Sequence, residues 1–264
     1  DSQPEAIGGY LPLSKVYSFN PVPDTLSADK VQLVYGVQAN LFTEYIPTPE
    51  HAEMMIYPRI LALAEVAWSA PSVKNYDDFH VRALKEVEAL KAEGYHPFEL
   101  KNEIGNRPGA DQPVQHLAVG KKVAYGPDAA YYPGYSAGGD SALVDGVIGG
   151  WTYGDRRWQG FIDKKRMDVT IDMEKETEIH SVGADFMQVC GPEVFMPSEV
   201  IISVSNDGKE FTELKRMEHK VVKDDKVTFI NFGWEGNAKA RYIRYQASSG
   251  EFGGFLFTDE IVVK

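Results

Sequence analysis

Residues 34–68 read VYGVQANLFTEYIPTPEHAEMMIYPRILALAEVAW. Val34 to Leu41 is a nearly continuous apolar run with β-branched residues, the pattern of a strand covered on both faces in a parallel sheet. The run ends in a polar-aromatic cluster, Phe42, Thr43, Glu44 and Tyr45, after which Thr48-Pro49-Glu50 opens a helix with a capping residue and a proline at the first helical position. Met54, Met55, Ile56, Ile60, Leu63, Ala64 and Ala67 then recur near helical spacing. Pro58 has no amide to donate and is expected to kink or divide that helix. Strand, loop and helix make one βα unit, with a strand predicted over 33–41 and Trp68 expected in the core.

Upstream, residues 1–30 are rich in Pro, Gly and Ser, and Leu11, Leu13, Val16 and Tyr17 give a loop or short capped helix one apolar face. Downstream, Asp77 to Glu93 predicts a helix that buries Phe79, Leu84, Val87 and Leu90, with Gly94 ready to end it. Periodicity then fades into Asn102, Gly105, Asn106, Pro108, Gly109 and Pro113, so 99–114 reads as a linker between a unit at 1–98 and another at 115–264. Beyond it the period changes from helical to alternating. Short segments at 167–173, 199–205, 226–232, 241–247 and 255–263, separated by turns such as Asn206-Asp207-Gly208, argue for an antiparallel β-sandwich.

Gly36 to Glu44 and Tyr57 to Trp68 closely resemble the last βα unit of the catalytic barrel in family 20 glycoside hydrolases, the chitobiase-like β-N-acetylhexosaminidases. The resemblance implies an α/β part that is the C-terminal fragment of a (β/α)8 barrel, since a whole barrel takes about 250 residues. Leu143-Val144-Asp145-Gly146, Trp158-Gln159-Gly160-Phe161, Val169 to Asp172, Val204 to Gly208, Arg241 to Arg244 and Asp259 to Val263 resemble, in that order, the discoidin or coagulation-factor 5/8 type C fold shared by family 32 carbohydrate-binding modules. That likeness implies an all-β second part, a galactose-binding-like jelly roll.

Family 20 enzymes, as the first resemblance implies, release terminal N-acetylhexosamine with retention. The substrate's acetamido oxygen attacks the anomeric carbon, a glutamic acid protonates the leaving oxygen and a neighbouring aspartate orients the acetamide. That Asp-Glu pair follows a His-x-Gly-Gly signature which this sequence lacks. Its only Asp-Glu dipeptide, Asp259-Glu260, lies in the last predicted strand. No catalytic residue is therefore expected in this chain, which by itself is expected to be inactive. Active sites of barrels gather at the C-terminal ends of strands, where Phe42 to Tyr45 falls. The family there has Trp-x-Glu, a wall and a carboxylate of the sugar pocket. Glu44 matches the carboxylate, and Phe42 replaces the indole with a smaller apolar face. Packing of Phe42 and capping by Glu44 is the competing reading.

In the second part Trp151, Tyr153, Arg156, Arg157 and Trp158 form the densest aromatic-basic cluster of the chain. Sugars present C–H faces to aromatic rings and hydroxyls to polar groups, so Trp151, Tyr153, Arg156 and Trp158 are candidate glycan contacts. Trp158 and Phe161 also match positions that pack the core in this fold. The fold often holds a structural calcium near the Asp-Gly turn and the last strand's glutamate, which Asp145 and Glu260 match. Hard carboxylate oxygens suit that ion, although Val147, Ile148 and Gly149 replace the usual polar residues. Arg59 and Glu65 lie in an otherwise apolar helix and are expected in an ion pair. The six histidines show no zinc-ligand spacing, and Cys190 is the single cysteine.

With 264 residues, a net charge of −12 and pI near 5.0, the chain opposes the clustered Lys and Arg that nucleic acid requires. No apolar run approaches the ~20 residues of a membrane span. Glycans carrying N-acetylhexosamine or galactose-type sugars are the expected partners, together with the upstream remainder of the barrel or a second copy of the chain. Export to periplasm or medium follows from the family resemblance. The leading expectation is the C-terminal portion of a β-N-acetylhexosaminidase; a non-catalytic glycan-binding or structural accessory module is the alternative.

Overall fold

The computed structural model describes residues 11–264 except 44, 128, 130, 163–166 and 225. The chain divides into two compact units, Asp1–Gly105 and Asn106–Lys264.

The first unit is helical: α1 (Leu13–Tyr17), α2 (Pro49–Ile56), α3 (Arg59–Trp68) and α4 (Tyr76–Ala92). Spacing explains which faces are buried. Leu13 and Tyr17, then Ala62 and Val66, then Phe79, Ala83 and Val87 are buried at four-residue intervals, each set forming one stripe of a helix. The Tyr17 ring stacks on Phe79 at 4.7 Å, and Leu100 closes the same core. Thr48 caps α2 by accepting from the His51 amide at 3.1 Å, and Asn75 caps α4 by accepting from the Asp78 amide at 3.2 Å. Pro58 separates α2 from α3, as its missing amide demands. Glu65 finds its cation on α4, where Arg82 approaches to 2.7 Å, and accepts from the Tyr17 hydroxyl at 2.9 Å. Arg82 holds the Glu65 carboxyl below its ordinary range. Arg59 donates to the carbonyls of Leu11 and Met55.

Two expectations fail here. Residues 34–41 form no strand: a short 3-10 turn at Val31–Leu33 precedes them, and Tyr35 is 91% exposed. A parallel strand takes its backbone hydrogen bonds from neighbours, and no described residue pairs with this one. Trp68 is likewise 91% exposed rather than in a core. Both carry the apolar character of buried positions without anything to bury them.

The second unit is a β-sandwich. Its strands are β1 (Lys122–Tyr125), β2 (Gln159–Ile162), β3 (Met167–Gln188), β4 (Pro197–Ser205), β5 (Thr212–Glu218), β6 (Thr228–Ser249) and β7 (Phe255–Val263). They are hydrogen-bonded in the order β2-β7-β3-β6-β4-β5, with β1 added to β3, and every ladder is antiparallel. The two 22-residue strands make two layers out of one ladder. Register shifts between Asp172 and Thr177 and between Ile179 and Ser181 bend β3. Its early residues Met167, Val169 and Ile171 and its late residues Val182, Ala184 and Phe186 therefore meet in one core. The segments predicted at 226–232 and 241–247 are the two halves of β6.

The stretch 99–114 is not a free tether. Leu100 belongs to the helical core, while Arg107 and Ala110 are buried in the sandwich unit. A polar, Gly/Pro-rich composition signalled a linker, yet it conceals one buried cation.

Candidate functional site

Arg107 explains much of how the sandwich holds its last strand. Its Nη1 donates to the Gly149 carbonyl at 2.8 Å and to Asp259 Oδ2 at 2.7 Å, and its Nη2 pairs with Asp185 Oδ2. The guanidinium stands 4.9 Å from the Trp158 ring centroid and 4.7 Å from that of Phe229. Asp259 and Glu260 form a bulge in β7 opposite Asp185, where the register between Ala184 and Phe186 shifts. The bulge gives each adjacent acid its own partner: Arg107 for Asp259, His116 for Glu260. Burial pushes the Asp259 carboxyl up to about 6, with Arg107 pulling the other way.

His116 Nε2 lies 2.7 Å from Glu260 Oε1, which also accepts from the Gly146 amide at 2.9 Å. The amides of Ala118 and Val263 point at His116 Nδ1, at 3.3 and 3.4 Å, which assigns the ring proton to Nε2 and makes the histidine the donor. Glu260 Oε2 is buried without a partner, and burial raises both the Asp145 and Glu260 carboxyls. That oxygen is the one feature a calcium ion would satisfy. Glu260 Oε1 is occupied by two N–H donors, and no three His, Cys, Asp or Glu residues gather as ligands among the described residues, so side chains alone do not complete a calcium shell.

The aromatic-basic cluster is partly structural. Trp158 is fully buried with Met187, Val194 and Phe257, and its indole N–H donates to the Gly150 carbonyl at 3.2 Å. It is thereby removed from the glycan contacts; its size, which suggested stacking on sugar, serves the core. Tyr153 stacks on Phe257 at 4.9 Å and stays half-buried, and Trp151 meets the Phe229 ring edge-on at 5.7 Å. Arg156 is exposed, in the left-handed region at φ 67. In the helical unit Phe42 is 75% exposed, and Glu44 lies outside the described residues.

Sequence reading missed a second aromatic group on the loops. The connections 189–196, 219–224 and 250–254 are tied together: Phe195 donates its amide to Phe255 at 3.0 Å, Phe255 to Glu193 at 2.8 Å, and Gln188 Nε2 to the Val222 carbonyl at 2.9 Å. Gly254, at φ 71, passes so close to the Glu193 carbonyl that any Cβ would collide with it. This fixes Phe252, 37% exposed, against Phe195 at 5.4 Å. Lys223 places its ammonium 4.3 Å from the Phe252 centroid and 5.1 Å from that of Phe195. Tyr132, 44% exposed, meets Phe255 edge-on at 5.7 Å. An aromatic between glycines, as in Gly250-Glu251-Phe252-Gly253-Gly254, was the available signal: turns favour polar residues, so a Phe there is spent on something other than the turn.

An antiparallel sandwich with exposed aromatics on its loops is the build of a binding module. The chain belongs to the F5/8 type C domain family, whose profile matches residues 128–261. Residues 1–71 match glycosyl hydrolase family 20, catalytic domain, so a piece of that catalytic domain precedes the module. The N-terminal part is 49% identical over 77 residues to a beta-hexosaminidase of Porphyromonas gingivalis (strain ATCC BAA-308 / W83), covering 29% of this chain and 10% of that protein. It is 34% identical over 79 residues to a beta-N-acetylhexosaminidase of Cellulomonas fimi, covering 30% and 16%. The matched stretch is thus a small share of either relative. Among solved structures, similar ones include chitosan-binding module 1 of a chitosanase/glucanase from Paenibacillus sp. IK-5, at 17% identity and TM-score 0.38 over 57% of this chain and 98% of that one. Another is CBM32-1 from a family 31 glycoside hydrolase of Clostridium perfringens, at 22% identity and TM-score 0.35 over 55% and 96%. No helix among the described residues is long and apolar enough to cross a membrane.

Proposed function

We propose that this chain is the glycan-engaging C-terminal portion of an exported β-N-acetylhexosaminidase, with the sandwich holding the enzyme on glycans that carry N-acetylhexosamine or galactose-type sugars. The observation that carries it is the order of the parts, a family 20 catalytic piece followed by an F5/8 type C sandwich with exposed loop aromatics. Phe252 and Tyr132 supply apolar faces for sugar C–H groups, and Lys223 supplies donors for hydroxyls. Trp151, Tyr153 and Arg156 border the same kind of loop surface. In the complete enzyme Phe42 and Glu44 line the sugar pocket, and substrate-assisted retaining hydrolysis uses an Asp-Glu pair outside this chain. The exposed apolar residues of the helical unit, Tyr35, Phe42 and Trp68, are the surface that the rest of the barrel covers.

Two measurements test this reading. The chain should bind N-acetylhexosamine- or galactose-terminated glycans in calorimetric titration, and Phe252→Ala should remove the binding event at the loop aromatics without lowering the melting temperature. It should show no turnover of a chromogenic N-acetylglucosaminide. Absence of binding to every such glycan refutes the anchoring role, and turnover abolished by a substitution within this chain refutes the division of labour.

A further inference from the structure

We propose that the outer face of β3, β6 and β7 is a second carbohydrate subsite, a groove that takes a short neutral oligosaccharide and shares no residue with the loop aromatics. The groove encloses about 560 Å³, within the roughly 300–1,000 Å³ of small-molecule sites.

The register places its floor. Gly183 lies opposite Gly233 and Asp185 opposite Asn231, while Ala184 and Phe232 between them are buried in the core. Side chains alternate along a strand, so the glycine, aspartate and asparagine positions all face outward. The paired glycines let the Asn231 amide lie close against the backbone at the bottom. A Cβ on Gly183 or Gly233 would stand 2.9 or 3.0 Å from Asn231 Oδ1, so neither position accepts a side chain while Asn231 lies across them.

The polar groups are fixed before any ligand arrives. Asp185 is held from behind by Arg107 and from the side by Asn231 Nδ2 at 2.7 Å, yet its side chain remains 30% exposed with lone pairs to spare. Lys215 reaches over to donate to the Gly233 carbonyl at 2.7 Å and keeps further N–H bonds free by valence. Glu260 also borders the groove, with its carboxyl turned inward onto His116. Lys215 repels a bare cation while Asp185 repels an anion. A neutral ligand rich in hydroxyls satisfies donors and acceptors together.

The test uses the full chain with N,N′-diacetylchitobiose and with lactose as probes, read by calorimetry and by amide chemical-shift mapping. Phe252→Ala, which leaves the groove intact, should retain one binding equivalent, with ligand-induced shifts at Gly183 and Gly233. Asn231→Trp should fill the groove and Lys215→Ala should remove a donor, each weakening that remaining event about tenfold or more at an unchanged melting temperature. A single equivalent lost with Phe252→Ala, with no shifts at Gly183 and Gly233, overturns the groove and leaves the loop site standing. Binding that survives Phe252→Ala unchanged and falls with Asn231→Trp overturns the loop site and leaves the groove.

Discussion

Replacing Arg107 by Met keeps an apolar stem between the Trp158 and Phe229 rings and deletes the guanidinium that both Asp259 and Asp185 use. Removing one partner of a buried ion pair costs about 3–5 kcal/mol near neutral pH, because the remaining charge is left in a poor dielectric. The pH dependence carries the sharper signature. Burial already raises the Asp259 carboxyl from 3.8 to about 6 with Arg107 in place, a difference worth on the order of 3 kcal/mol. A folded-state pKa above the unfolded one makes this group's contribution fully present below about pH 4 and lost as pH rises through about 6. Without Arg107 the carboxyl rises further, so Arg107→Met should cost clearly more near pH 7 than near pH 5. Asp259→Asn removes the orphaned charge and should recover about 1–3 kcal/mol in the Arg107→Met background near pH 7. Urea unfolding followed by circular dichroism of the sheet signal, across that pH range, measures both variants. An equal loss at both pH values, or a double variant no more stable than Arg107→Met alone, refutes the assignment of Arg107 as the cation that makes Asp259 tolerable.

Calcium should leave the sandwich untouched: saturating the chain with calcium or chelating with EDTA should shift its melting temperature by less than about 2 °C, because His116 and Gly146 already occupy Glu260 Oε1; a rise of several degrees with calcium contradicts this. Gly254→Ala should cost about 1–3 kcal/mol in denaturant unfolding and weaken glycan binding, since φ 71 and the Glu193 carbonyl leave no room for a Cβ; a neutral variant contradicts the loop geometry. The isolated chain should sediment as a species larger than 29.4 kDa, and Tyr35→Ser with Trp68→Ser should return it to a monomer; monomeric behaviour of the unsubstituted chain contradicts the covered-face reading.

What the sequence made legible divides by the range of the interactions involved. Local chemistry read true: the Thr48 cap, the break at Pro58, the αL glycine after α4 and the Asn206-Asp207-Gly208 turn each depend on neighbours a few residues away. Alternation likewise revealed the strands of the sandwich, although it could not show that two segments join as β6, because a bulge breaks the period without ending the strand. Long-range partners were hidden. Nothing in Asn106-Arg107-Pro108-Gly109 says that this arginine lies 152 residues from its aspartate and at bonding distance from it. Phe252 was passed over for the opposite reason: one aromatic in a turn has no period, and its value comes from Phe195 and Lys223 on other loops. The strand at 34–41 failed because an apolar β-branched run states what a segment needs, not whether the need is met.

Asp259-Glu260 shows why the chemistry of a residue pair has to be argued from its surroundings. As a dipeptide it is what an acetamide-orienting aspartate and a protonating glutamate would look like, and the raised Asp259 pKa, about 6, even resembles that of a general acid. Its environment excludes the role. A general acid must reach the leaving oxygen, whereas Asp259 and Glu260 are both buried and fastened to Arg107, His116 and the amides of Gly146 and Gly149. The same burial that lifts the pKa removes access to substrate. The lifted carboxyl is instead the cost of holding a bulge against the sheet, and Arg107 and His116 are the residues that offset it. What these two acids contribute is the fixed bulge of β7 beside which the Asp185 groove is built.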